Sequence, residues 1–196
     1  MPRLWTETIE AHRHAVRETI LNTAWALTAE HGLRGVTMAQ IAESAGIGRA
    51  TLYKYFPDLE AILSAWHQRQ AAAHLVELTE LRHGPGEAGE HLVAVLTGYA
   101  HIAQQRAHHG PELAALLHPA ARSGHTEAQL DTLLIDLLID AATAGDVRSD
   151  VSPDELARYC RHALGAAAEL SSPAAVDRLM TVTLAGLRPP ATAPAT

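Results

Sequence analysis

Arg49, Thr51, Tyr53, Lys54 and Tyr55 lie within seven residues of one another and bring together the side-chain types that hold duplex DNA. Arginine pairs bidentately with guanine, threonine and tyrosine hydroxyls reach bases or phosphates, and lysine is a point charge for the backbone. Such side chains read a groove only if a rigid element presents them. The segment Thr37 to Phe56, TMAQIAESAGIGRATLYKYF, supplies one. Thr37 is placed to cap a helix, and Gln40 three residues on completes a T-x-x-Q capping box. Ile41 and Ala45 share a face, small Ala42 permits close approach of a second helix, and Gly46 allows the left-handed backbone that ends the first. Ile47 plugs the corner. In the second helix Leu52 and Phe56 recur at helical spacing and face inward, which leaves the five polar side chains on the other faces. Helix, tight turn and helix together have the spacing of a unit that enters a major groove.

Beyond this unit the stretch from about His12 to Trp66 resembles the N-terminal domain of TetR-family (tetracycline-repressor-like) transcriptional regulators. The resemblance lies in RETILNTAWALTAEHG and VTMAQIAESAGIGRATLYKYFPDLEAIL, with TLYKYF its most specific part. It implies an all-α chain: an N-terminal three-helix helix-turn-helix domain, then a C-terminal helical domain that binds an effector and dimerises. By position it implies base contacts from Arg49, Ala50 and Tyr53, and phosphate contacts from Thr37, Thr51, Lys54 and Tyr55. Two positions depart from the family pattern. Leu59 stands where many members have a lysine after the recognition helix, and Gly48 replaces a hydroxyl residue at that helix's head. Asp58, after Pro57, remains able to cap the next helix.

The composition agrees with a globular helical protein: 196 residues, 47% apolar and 4% aromatic. No apolar run reaches the length of about 18 residues that a membrane span requires. The start, MPRLWTETIEAHRH, is too polar for a secretion signal. The lone cysteine, Cys160, excludes an intramolecular disulfide framework and fits a reducing cytoplasm, where it reads as a small buried apolar residue. The formal charge of -7 is unevenly spread, because residues 1–60 carry six basic and seven acidic side chains and residues 61–196 carry nine and fifteen. A basic face of Arg49, Lys54, Arg13, Arg17 and Arg34 therefore remains compatible with phosphate binding and with a steep salt dependence.

The periodicity predicts helices almost throughout. Val16, Ile20, Ala24 and Leu27 mark the apolar stripe of a first helix over 8–30, ended by Gly32. A long helix over 58–83 leads out of the DNA-binding unit. It stops at the GPGE turn of residues 84–87, and another helix follows over 87–109. Gly110-Pro111 opens a short helix, and LLIDLLID marks a largely buried helix over 126–144. Ser152-Pro153-Asp154-Glu155 and Ser172-Pro173 start the last two. The expected division is a DNA-binding domain over 1–57, an effector-binding and dimerisation domain over 58–188, and a disordered tail over 189–196.

Three functional expectations follow for the second domain. The last two helices, with Leu156, Tyr159, Ala163, Leu164, Gly165, Ala166, Ala167 and Ala168 on one and Val176, Leu179, Met180, Thr183, Leu184 and Leu187 on the other, form a four-helix homodimer interface. Trp66, Gln70, His74, Leu92, Leu96, Tyr99 and His101 line an apolar effector pocket with a few polar anchors. The thirteen histidines offer a metal-responsive alternative through Glu80-x-x-His83, His108, His109, His118 and His125, but no HExxH or second E-x-x-H occurs, so no metal site is assigned. A helical adaptor without DNA binding is the other alternative. Neither G-x-S-x-G nor a phosphate-binding glycine loop is present, so no catalytic residue and no cofactor is expected. The sequence thus reads as a ligand-responsive regulator, a dimeric repressor of a palindromic operator released by a small, largely apolar effector.

Overall fold

The computed structural model describes residues 3–107 and 124–190, with side chains over 8–105 and 125–190. Among them the chain is all-α. The helices are α1 (Arg3–His31), α2 (Met38–Ser44), α3 (Arg49–Tyr55), α4 (Leu59–Arg82), α5 (Ala88–Ala107), α6 (Gly124–Ala144), α7 (Pro153–Gly165) and α8 (Pro173–Leu187), with 3-10 turns at Leu33–Gly35 and Ala166–Glu169. The short helix expected from Gly110-Pro111 and the tail over 191–196 lie outside the described residues. Two starts and stops differ from expectation. No glycine or proline interrupts Arg3–His31, so α1 begins ahead of Thr8. Gly165 weakens α7, and the alanines after it form a 3-10 turn rather than continuing the helix.

The chain divides into two compact units, one built on residues up to Gln70 and one taking in residues 71–110 and 123–196. The first extends past the boundary expected at residue 57, because Ile62, Ala65 and Trp66 of α4 belong to the same core as Ile20, Leu21, Ala24, Ile41, Leu52 and Phe56. Trp66 stacks on Trp25 of α1, with ring centroids 3.8 Å apart and planes 7° from parallel. The Arg69 guanidinium pairs with Glu18 and donates to the Asn22 side-chain oxygen at 2.8 Å, a second tie between α4 and α1.

In the second unit α5 packs against α6, α7, α8 and the second 3-10 turn. Its core joins Leu92, Val95 and Leu96 to Leu134, Leu137 and Leu138 of α6 and to Cys160, Leu164 and Val176 of the last two helices. Gly98 lets α5 approach the end of α4, since a Cβ there would come within 2.9 Å of Leu81 and 3.0 Å of Leu78. Arg82 ties that end of α4 to α6 through Asp136 at 3.0 Å and Asp140 at 3.3 Å. After α6 the Arg148 backbone N–H donates to the Leu187 carbonyl at 2.8 Å. Its guanidinium holds Asp150 at 2.7 Å, and that hydrogen bond keeps the Asp150 carboxyl below the usual range.

Candidate nucleic-acid interface

The helix-turn-helix unit forms as its local chemistry dictates. The Thr37 hydroxyl accepts from the Gln40 backbone N–H at 3.3 Å, and the Thr37 N–H donates to the Gln40 side chain at 2.9 Å, closing the capping box at the start of α2. Gly46 has φ +67°, the left-handed turn that ends α2. Gly48 caps α3 with extended backbone and contributes no side-chain bond. Leu52 is fully buried and Phe56 nearly so, which fixes the rotation of α3. That rotation leaves Arg49, Ala50, Thr51, Tyr53 and Lys54 exposed, Tyr53 by 55%. Tyr55 is half-buried against the first core, so it is set apart from the other four polar side chains. Thr37 is exposed, with its hydroxyl engaged in the cap. Asp58 caps α4, accepting from the Ala61 N–H at 2.8 Å.

The neighbour of Arg17 at this edge is what sequence reasoning missed. Its guanidinium lies 5.4 Å from the centroid of the Phe56 ring, a cation–π contact between α1 and the residue that closes α3. The four-residue spacing of Arg13 and Arg17 puts them on one helix face, but spacing alone does not say what that face meets.

The residues expected to line an effector pocket are divided between the two units. Trp66 is in the core of the first unit, and Gln70 ends that unit. Leu92 and Leu96 are buried in the core of the second, Tyr99 packs against that core, and His74 and His101 are half-buried within the same unit. An open groove on the second unit is lined instead by Leu75, Val76, Thr79, Glu80, His83 and Gln129. Among the described residues no three His, Cys, Asp or Glu side chains are grouped to hold a metal ion. His83 bonds through Nδ1 to the Thr79 carbonyl at 2.7 Å, His125 is exposed, and His108, His109 and His118 lie outside the described residues.

Of the residues expected to face a partner, Leu156, Leu164, Ala167, Val176, Met180, Thr183 and Leu187 are buried in the chain's own core. The sides of α7 and α8 that remain outward carry Tyr159, 40% exposed, and Val182, 66% exposed, with Leu179 and Leu184 half-buried beside them. Cys160 is fully buried, and that desolvation pushes its thiol up to about 12. Among the described residues no helix is long and apolar enough to cross a membrane.

Residues 20–66 match the sequence family described as bacterial regulatory proteins, tetR family. Residues 92–189 match the C-terminal domain of SbtR-like transcriptional regulators. No curated protein matches the chain. Among solved structures, a TetR/AcrR-family transcriptional regulator from Thermobifida fusca superposes with a TM-score of 0.72 at 20% identity, over 88% of this chain and 98% of that one. The TetR transcriptional regulator SCO0520 from Streptomyces coelicolor is 28% identical with a TM-score of 0.59, over 89% of this chain and 99% of that one. FadR from Bacillus subtilis, solved in complex with stearoyl-CoA, gives a TM-score of 0.62 at 15% identity, over 87% and 99%.

Proposed function

This chain belongs to the tetR family of bacterial transcriptional regulators, and from that premise we propose that it is a cytoplasmic repressor that binds a palindromic operator as a homodimer. The observation that carries the reading is the exposed face of Arg49, Tyr53 and Lys54 on a short helix whose rotation is fixed by buried Leu52. Arg49, Ala50 and Tyr53 meet base edges, while Thr37, Thr51, Lys54 and Tyr55 meet phosphates. Two copies joined through the outward sides of α7 and α8 present two such helices about 34–36 Å apart, or a multiple of that, on the two halves of the site.

Release follows from a small, largely apolar effector bound in the second unit, with His74, Tyr99 and His101 as polar anchors and Leu92 and Leu96 as apolar wall. The Bacillus subtilis FadR of similar fold holds stearoyl-CoA, whose long acyl chain supports the apolar part of that reading. The effector lowers operator affinity only by as much as it prefers the arrangement that does not fit DNA.

The test is enrichment of a binding sequence from a random duplex library, followed by Arg49→Ala and Tyr53→Ala. Each substitution costs about 1–3 kcal/mol of specific binding, with dimerisation intact. A chain that enriches no sequence, or variants that bind the enriched duplex as the wild type does, would refute the reading.

A further inference from the structure

Helix α1 is longer than the core it serves. Its first side chains in the core are those of Val16 and Ile20, yet the helix starts at Arg3, and residues 8–15 are exposed on every side. About two turns of helix therefore gain little burial among the described residues, although burial is what ordinarily holds a helix in place. The stretch also precedes residues 20–66, the part matched to the family.

Its charge leans basic, with two arginines against one glutamate over residues 8–17 and the histidines neutral. Between Thr8 and Arg17 stand His12, Arg13, His14 and Arg17, with Glu10 as the one acid. Among the described residues no carboxylate pairs with Arg13 or Arg17. Arg17 sits over Phe56, the residue that closes the recognition helix α3. Arg13 is one turn earlier on the same face, about 5–6 Å away at Cβ, and helical side chains lean toward the N-terminus, away from the core. The cationic stripe thus begins at the end of α3 and continues along α1 past the edge of the unit.

We propose that this exposed start of α1, through Arg13 and Arg17 with His12 and His14 beside them, is a second DNA-contacting element that holds phosphates flanking the groove read by α3. The inference rests on the DNA-binding reading above and adds to it a contact that carries no sequence information. Duplex DNA offers one charge per about 1.7 Å of axis, so an element of this length meets several. It gives an acidic chain a local cationic footing on DNA.

The test uses the full chain, a labelled random-sequence duplex and the duplex enriched by the wild type, each titrated over a salt series. Arg13→Ala lowers the slope of log K against log salt by about 0.9 for each phosphate it no longer holds, and it weakens both duplexes by the same factor. Glu10→Gln strengthens both. Arg49→Ala, by contrast, weakens the enriched duplex selectively. Circular dichroism melts matching the wild type show that the exposed-site variants are folded. Equal slopes for wild type and Arg13→Ala, with the enriched duplex still bound, overturn the inference and leave the regulator reading standing. If the wild type enriches no sequence, that reading fails and the random duplex decides this one by the same slopes. A change in sedimentation without DNA, in place of a change in slope, assigns the stretch to a second copy and also overturns it.

Discussion

At the scale of single residues, Gly46 and Cys160 show how narrow the local tolerances are. Gly46 has φ +67° and open space where a methyl group would point, with nothing within 4 Å, so the cost of Gly46→Ala is purely that of the left-handed backbone. We expect a loss of about 1–2 kcal/mol, read as a lower denaturant midpoint, with weaker operator binding because α2 and α3 lose their fixed turn. Cys160 is held neutral by burial, its thiol moved from 9.0 to about 12. In the folded chain the proton is kept where the unfolded chain would release it, so stability is intact below about pH 9 and falls as pH rises toward 12. Ellman's reagent should therefore label Cys160 only as fast as the second unit opens, and rapid labelling of the native protein would contradict this account.

At the scale of elements, the helix starts were legible because their determinants are local. Thr37 with Gln40 and Ser152 with Glu155 form the capping boxes their spacing predicts. Thr37→Ala should cost about 1 kcal/mol in a thermal melt, while Thr37→Ser should restore most of it. The partner of each apolar stripe was not legible, because periodicity gives the buried side of a helix and not what buries it. Leu164, Val176 and Met180 read equally well as a surface for a second copy and as the chain's own core, and they are core. Trp66 likewise fits the inner face of α4 for either unit, since the helix runs without a break from one to the other. Its stacking on Trp25 places it in the first core, so Trp66→Ala should cost about 3–5 kcal/mol of folding stability. Loss of effector response without loss of stability would argue against that placement.

For the whole molecule, the oligomeric proposal now rests on a narrower surface than the sequence suggested. Among the described residues Val182 is the most exposed of the large apolar side chains, and Tyr159 stands close to Gly186, where a Cβ would come within 2.7 Å of its hydroxyl. A charge at Val182 disturbs no buried contact, so Val182→Glu should give a folded monomer in sedimentation velocity and weaken operator binding, because half-sites are then met one at a time. An unchanged dimer would move the interface elsewhere. The expected salt dependence belongs to this scale too, since fifteen of the acidic residues lie beyond residue 60 and the cations proposed to meet DNA all lie before it. The placing of the indoles adds a practical consequence. All three tryptophans, Trp5, Trp25 and Trp66, precede residue 71, so the tryptophan fluorescence of the chain originates in one unit only. The parallel Trp25 and Trp66 rings make that emission sensitive to how α4 lies on α1. An effector bound by the second unit would leave the tryptophan emission unchanged unless its binding is felt at the DNA-reading end, which turns a simple emission spectrum into a measure of signal transmission.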